Sequence, residues 1–154
     1  MSRAYADGKF SGPCPAPVVT SGDGVSFLEL WHGPTCAFKD IALQLLPRLL
    51  TRSLKKTGEG KDALILTATS GDTGKAALEG FRDVAGTRIL VFYPQNGVSP
   101  MQERQMRTQE GGNVAVAAVR GNFDDAQAGV KRIFCDEAIR RAARERGFVL
   151  SSAN

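Results

Sequence analysis

Histidine occurs once in this chain (His32), tryptophan once (Trp31) and cysteine three times (Cys14, Cys36, Cys135) among 154 residues. An odd number of widely spaced cysteines without a CxxC pair argues against a disulfide framework and supplies no zinc or redox motif. A reducing, cytoplasmic compartment is the simpler expectation. No apolar run approaches the ~20 residues of a membrane helix. The opening segment MSRAYADGKF has neither the apolar core of a signal peptide nor the arginine-rich pattern of a transit peptide. Aromatic residues are scarce, 7% of the chain, and none interleaves with its one dense basic stretch. That stretch, Arg140, Arg141, Arg144 and Arg146, is mixed with Asp136, Glu137 and Glu145, the pattern of a solvated helix face rather than a nucleic-acid surface. The expected partners therefore include neither membrane nor nucleic acid. What remains is 42% hydrophobic and 23% charged with a net charge of +4, the balance of one soluble globular unit too short for two full domains.

Residues 1–26 read as an arm, because Pro13, Pro15 and Pro17 together with Gly8, Gly12, Gly22 and Gly24 resist both helix and central strand. Residues 27–154 read as the folded unit. A short strand is expected over 27–31, then a turn at His32-Gly33-Pro34-Thr35. Ala42, Leu45, Leu46, Leu49, Leu50 and Leu54 recur at helical spacing, with Pro47 expected to kink the helix and Gly58 and Gly60 to end it. From residue 63 the pattern alternates: strands at 63–68, 89–93, 114–119 and 148–150, helices at 74–84, 100–109 and 124–146, the last restarting at Asp136-Glu137. Apolar strands alternating with helices predict an α/β fold, a parallel sheet of about four strands with helices on both faces.

Ligands of such sheets bind beyond the carboxyl ends of the strands. There the chain reads Thr67-Ala68-Thr69-Ser70-Gly71-Asp72-Thr73-Gly74, a loop of small hydroxyl residues and glycine running into a helix. Converging backbone N–H groups at a helix start suit a carboxylate or phosphate. The bland alternative is a capped helix, with Ser70 or Asp72 satisfying the orphan amides. The loop is not a Walker sequence, since Thr69 and Ala76 stand where glycine and Ser/Thr are required, nor is it a nucleophile elbow. The second candidate is Lys39, set between Phe38 and Asp40 at a helix start, where the macrodipole disfavours a cation. Its bland alternative is a surface lysine paired with Asp40. His32 reads as a turn residue, Asp124-Asp125 as helix-capping acids, and Met101 and Met106 as partial core.

The segments LELWHGPTCAFKD (28–40), LTATSGDTGKAA (66–77), YPQNGVSPMQERQM (93–106), GGNVAVAAVRGNFDDAQ (111–127) and the terminal SSAN together resemble the threonine synthase family of fold type II pyridoxal-phosphate enzymes. The resemblance covers residues 15–154. Within the family, residues 27–40 are most similar to the animal branch known as threonine synthase-like protein 2, on account of Trp31 and Cys36. The resemblance implies pyridoxal 5′-phosphate as cofactor and Lys39 as the catalytic lysine that bonds to it, with Phe38 and Asp72 beside it. It implies that Thr69, Ser70, Gly71, Asp72 and Thr73 hold the substrate carboxylate. Segments 99–102 and 121–125 match stretches that line or support the same cleft, without a role for any one residue.

The function so implied is phosphate elimination from a small phosphorylated amino acid, O-phosphohomoserine or O-phosphothreonine, to give 2-oxobutyrate. One alternative is threonine synthesis from O-phosphohomoserine; another is a non-catalytic binding module built on the same fold. A hydroxyl-nucleophile hydrolase is disfavoured because no triad is apparent. The resemblance also implies a longer parent, whose further domain carries the glycine-rich cradle for the cofactor phosphate and the group facing the pyridine nitrogen. Neither pattern is found in residues 1–154. That further domain is the expected packing partner.

Overall fold

The computed structural model describes residues 4, 5 and 8–153. Asn154 of the SSAN segment lies outside them. The chain enters through a two-stranded antiparallel hairpin, β1 (Val18–Thr20) and β2 (Ser26–Leu28), with Val18 opposite Leu28 and Val19 opposite Phe27. This hairpin joins the end of the expected arm to the start of the folded unit, and the strand expected over 27–31 is shorter and begins one residue earlier. Its turn closes through Ser21 N–H to Val25 O and Gly24 N–H to Ser21 O. The earlier arm is fastened rather than loose. Ala4 and Phe10 are buried, Tyr5 Oη donates to Ile41 O at 2.7 Å, and Lys9 Nζ donates to Gln44 Oε1 at 2.8 Å.

The single kinked helix expected after Phe38 is two helices, α1 (Asp40–Leu43) and α2 (Leu46–Thr57). The break falls at Gln44-Leu45, before Pro47. Proline has no N–H to donate and its ring is tolerated in a first helical turn, so Pro47 starts α2 instead of bending a continuous helix. Gly58, in the left-handed region at φ 69°, ends α2 and donates its N–H to Leu54 O.

The main sheet comprises β3 (Asp62–Ala68), β4 (Thr87–Pro94), β5 (Val114–Val119) and β6 (Phe148–Ser151), all parallel, in the spatial order β5-β4-β3-β6. Between them run α3 (Asp72–Phe81), α4 (Pro100–Arg107), α5 (Phe123–Cys135) and α6 (Glu137–Glu145). The expected helix over 124–146 divides where its acids suggested: Asp136 ends α5 and its carboxylate caps α6 by accepting from Ala138 and Ile139 N–H.

Alternate residues of a strand face opposite sides, and each side here has its own core. Ala63, Ile65, Ile89, Val91 and Tyr93 pack with Ala76, Ala77, Leu78 and Phe81 of α3, Leu43 of α1 and Met106 of α4. Leu66 and Ala68 pack with Ala126 and Val130 of α5 on the other side. Burying each large side chain contributes about 1.5–3 kcal/mol, so the first face, which holds the fully buried Phe81, Ile65, Leu78 and Ile89, dominates the stability. Met106 is buried there, whereas Met101 is 67% exposed and belongs to no core.

One close approach sets where α1 lies, and a local cap sets where α4 begins. A Cβ on Gly80 of α3 would collide with the carbonyl of Leu43, so this glycine lets α1 lie directly on α3. The capping box of α4, Ser99 with Gln102, fixes the other helix start. Strand order reverses between β3 and β6, and a crevice forms at the carboxyl ends of strands at such a point.

Candidate active site

Two segments distant in sequence meet at that crevice. The first is the turn before α1. Asp40 is fully buried, and its carboxylate accepts from Thr35 N–H at 2.8 Å and Thr35 Oγ1–H at 2.7 Å, while Gly33 presses against the same side chain. A buried carboxylate is tolerable only with such donors, so the HGPT turn is folded around Asp40. Lys39, the N-cap of α1, therefore does not pair with its neighbour. Adjacent helical residues point apart. Lys39 Nζ lies instead 3.7 Å from Asp72 Oδ2 and 4.3 Å from the Phe38 ring centroid. With the Asp72 side chain 54% exposed, this pair fixes position more than it stabilises the fold.

The second segment is the loop leaving β3. Thr69 Oγ1 accepts from Gly71 N–H at 3.0 Å and Gly74 N–H at 2.8 Å, and it donates to Gly71 O at 3.2 Å. The buried Thr69 hydroxyl thus closes the loop, the part that the bland alternative gave to Ser70 or Asp72. Its side chain is committed to the loop, whereas Ser70 and Asp72 are exposed and Thr73 is half-buried. The first N–H groups of a helix have no partner within it. Among the described residues, Asp72 and Thr73 N–H find none from a side chain either.

An open cavity of about 610 Å³ adjoins this meeting point, lined by Lys39, Thr73, Leu45, Leu46, Leu49 and Ala153, just after β6, among others. A second hollow of about 330 Å³ lies at the amino end of β3, lined by Lys61, Asp62 and Gly86 among others. It lies at the opposite end of the parallel sheet from Lys39, away from the carboxyl ends of the strands.

Sequence reasoning did not single out Gln102, whose Nε2 donates to Asp72 Oδ1 at 3.4 Å. The resemblance placed segment 99–102 at the cleft without a role for any one residue, and the tertiary fold shows that Gln102 is the side chain of that segment that reaches Asp72. His32 stands apart from the cluster: Nε2 is 2.6 Å from Glu29 Oε2 and Nδ1 is 2.8 Å from Ser11 Oγ. That string has serine, histidine and acid in order, yet neither Ser11 nor His32 borders the Lys39 cavity. It fastens the arm to the turn. Asp125 forms a capping box with Asn122, the role expected of the 124–125 pair. The described residues contain no cluster of metal-ligating side chains, and none of their helices is long and apolar enough to cross a membrane.

No family model matches the chain. Individual proteins do. The threonine synthase of Pseudomonas aeruginosa is 47% identical over 137 residues, which are 89% of this chain and 29% of that protein. The human protein named Threonine synthase-like 1 is 39% identical over 100% of this chain and 21% of its own length. Among solved structures, the pyridoxal-phosphate-bound threonine synthase from Brucella melitensis superposes with a TM-score of 0.86 at 41% identity, over 99% of this chain and 31% of that one. The chain thus spans less than a third of the length of these relatives. Identity and superposition agree over nearly all of the described fold, and the chain belongs to the threonine synthase family.

Proposed function

We propose that this chain forms the lysine-bearing part of a pyridoxal-phosphate enzyme of the threonine synthase family. In this reading it acts in the cytoplasm on O-phosphohomoserine or O-phosphothreonine and eliminates phosphate, after which water hydrolyses the released enamine to 2-oxobutyrate and ammonia. The observation that carries the reading is the meeting of Lys39 with the 69–73 loop at one crevice, joined by the 3.7 Å contact to Asp72. The cofactor in the Brucella melitensis relative supports the choice of cofactor.

The residues fit the aldehyde-bearing end of pyridoxal phosphate. A primary amine is among the residues lining a largely apolar cavity, the exposed Phe38 ring lies beside it, and amide donors open the first turn of α3. We assign no residue of this chain to the cofactor phosphate. A further domain of the parent would supply that cradle and cover the crevice. When bound, the cofactor supplies an aldehyde for attachment to an amine and a ring that disperses negative charge from carbon.

Lys39 is the amine that would hold it and, once exchanged for the substrate amine, the base placed to take the α-proton and return it. Asp72 keeps Nζ at the crevice. The N–H groups of Asp72 and Thr73, with Ser70 and Gly71 beside them, would receive the substrate carboxylate at the positive end of α3. Thr69 holds that loop in shape, and Leu45, Leu46 and Leu49 limit water on the apolar side.

Threonine synthesis proper is the second reading, favoured by the 47% identity to a protein of that name. With O-phosphohomoserine both routes lose phosphate from the γ-carbon and part on whether water then adds at Cβ. The test is borohydride reduction of the chain with pyridoxal phosphate, followed by peptide mapping. We expect one pyridoxyl adduct at Lys39, absent in Lys39→Ala. Scattered labelling, together with no Lys39-dependent phosphate release once the remaining domain is supplied and assembled, would overturn the proposal. Threonine or 2-oxobutyrate among the products decides between the two readings.

A further inference from the structure

Gln102 sits at the third position of α4 and its amide is held in one orientation. Oε1 accepts from Ser99 N–H at 3.2 Å and from Ser99 Oγ–H at 3.1 Å, while the Gln102 backbone N–H donates to Ser99 Oγ at 3.2 Å. With the oxygen so engaged, the amide nitrogen is turned toward α3, where Nε2 donates to Asp72 Oδ1 at 3.4 Å. The other oxygen of that carboxylate, Oδ2, is the one 3.7 Å from Lys39 Nζ. The same amide fills the space that a Cβ on residue 71 would need, and Gly71 has φ 150°.

We propose that Gln102 is a positioning residue for Lys39: through Asp72 it sets the acid that faces the amine, and through its contact with Gly71 it sets the 70–73 loop. The inference rests on the reading of Lys39 and that loop as the active site. Residue chemistry explains why glutamine serves here. Glutamate would complete the α4 capping box as well, but it would set a second carboxylate against Asp72, whereas the Gln102 amide offers Asp72 a donor. Three side chains from three separate elements, Gln102 on α4, Asp72 on α3 and Lys39 at the start of α1, then form one connected line. Asp72 alone, half-exposed, has no other side-chain donor among the described residues to hold it toward the amine.

The test needs no cofactor. The rate at which acetic anhydride labels Lys39 at fixed pH is read by peptide mass spectrometry in the wild-type chain, Asp72→Asn, Gln102→Leu and the double variant, with thermal unfolding measured alongside. Gln102→Leu is expected to speed labelling by about two- to fivefold, the size of a half-exposed ion pair lost, and to change it little in the Asp72→Asn background. An equal change in both backgrounds, or none in the chain that keeps Asp72, overturns the inference. Should Gln102→Leu fail to fold, Gln102→Glu preserves the capping box. An unchanged unfolding midpoint with at least a twofold altered labelling rate supports positioning, and unaltered labelling overturns it. Pyridoxal-phosphate trapping at Lys39 in the wild type is scored separately, so loss of the active-site reading and loss of the Gln102 coupling give different results.

Discussion

Lys39 and Asp40 are neighbours in sequence with opposite fates. Asp40 is buried and spends both carboxylate oxygens on Thr35, while Lys39 reaches across to Asp72. A charged pair read from adjacent letters is thus replaced by two different interactions, because a helix start sends consecutive side chains in different directions. Tyr93 shows a second residue-scale effect. Its phenol is buried on β4 and its Oη donates to Glu103 Oε1 at 3.1 Å. Burial first, and the Glu103 carboxylate second, hold the phenol protonated above the ordinary tyrosine value of 10.0. The unfolded chain releases this proton first, so the contribution is fully present below about pH 10 and is lost as pH climbs through the folded value. Denaturant unfolding of the wild type and Tyr93→Phe between about pH 9 and 11 should show the stability gap moving in the mutant's favour as pH rises. Parallel curves across that range would contradict it.

Among the elements, α1 is too short to hold itself and is placed by what it lies on. Four residues cannot form a stable helix in isolation. Its seat is Gly80, where the backbone of α3 meets the carbonyl of Leu43. Gly80→Ala must push the two apart, an overpacking that costs about 1–3 kcal/mol, and Lys39 is the N-cap of α1. The expected result is a lowered unfolding midpoint together with reduced pyridoxyl trapping at Lys39. An unchanged midpoint with unchanged trapping would show that α1 is positioned by other contacts. Helix ends elsewhere were readable because they depend on local chemistry. Ser99 before Pro100, Asn122 before Asp125, and Asp136 between α5 and α6 all cap where their residue types suit a cap. The helix break before Pro47 was misplaced because a proline in a long apolar pattern is compatible with either a kink or a new start.

The whole molecule leaves a marked apolar surface at its entry hairpin. Val18, Phe27 and Leu28 are each more than half exposed, with Trp31 close behind them in sequence. Among the described residues β1 and β2 pair only with each other, so each also presents an open edge there. Exposed apolar strands with free edges associate. Sedimentation equilibrium of the isolated chain should therefore give an apparent mass that rises with concentration, and Phe27→Ser with Leu28→Ser should suppress the rise. A strictly monomeric wild type over the same range would rule this out. Proline and glycine spacing pointed to an arm here, and composition hid the hairpin, because three-residue strands carry too little pattern to read.

The order and type of the sheet elements were legible in the sequence, since continuous apolar strands of β3 and β4 and the helical spacing between them reflect burial on both faces of a parallel sheet. So was the expectation, carried by the resemblance, that the segments around Lys39 and around 69–74 lie together, as the Lys39–Asp72 contact shows they do. Only the tertiary structure decided which side chains meet there. Thr69, and neither Ser70 nor Asp72 of the bland alternative, closes the loop; Asp72, not the neighbouring Asp40, faces Lys39; and of the cleft segment 99–102 it is Gln102 that reaches Asp72. The physical reason is the same in each case: periodicity records which face of an element is buried, whereas a 3–4 Å contact between α1, α3 and α4 depends on how closely three helices pack, and that is set by Gly80, Gly71 and the reversal of strand order between β3 and β6.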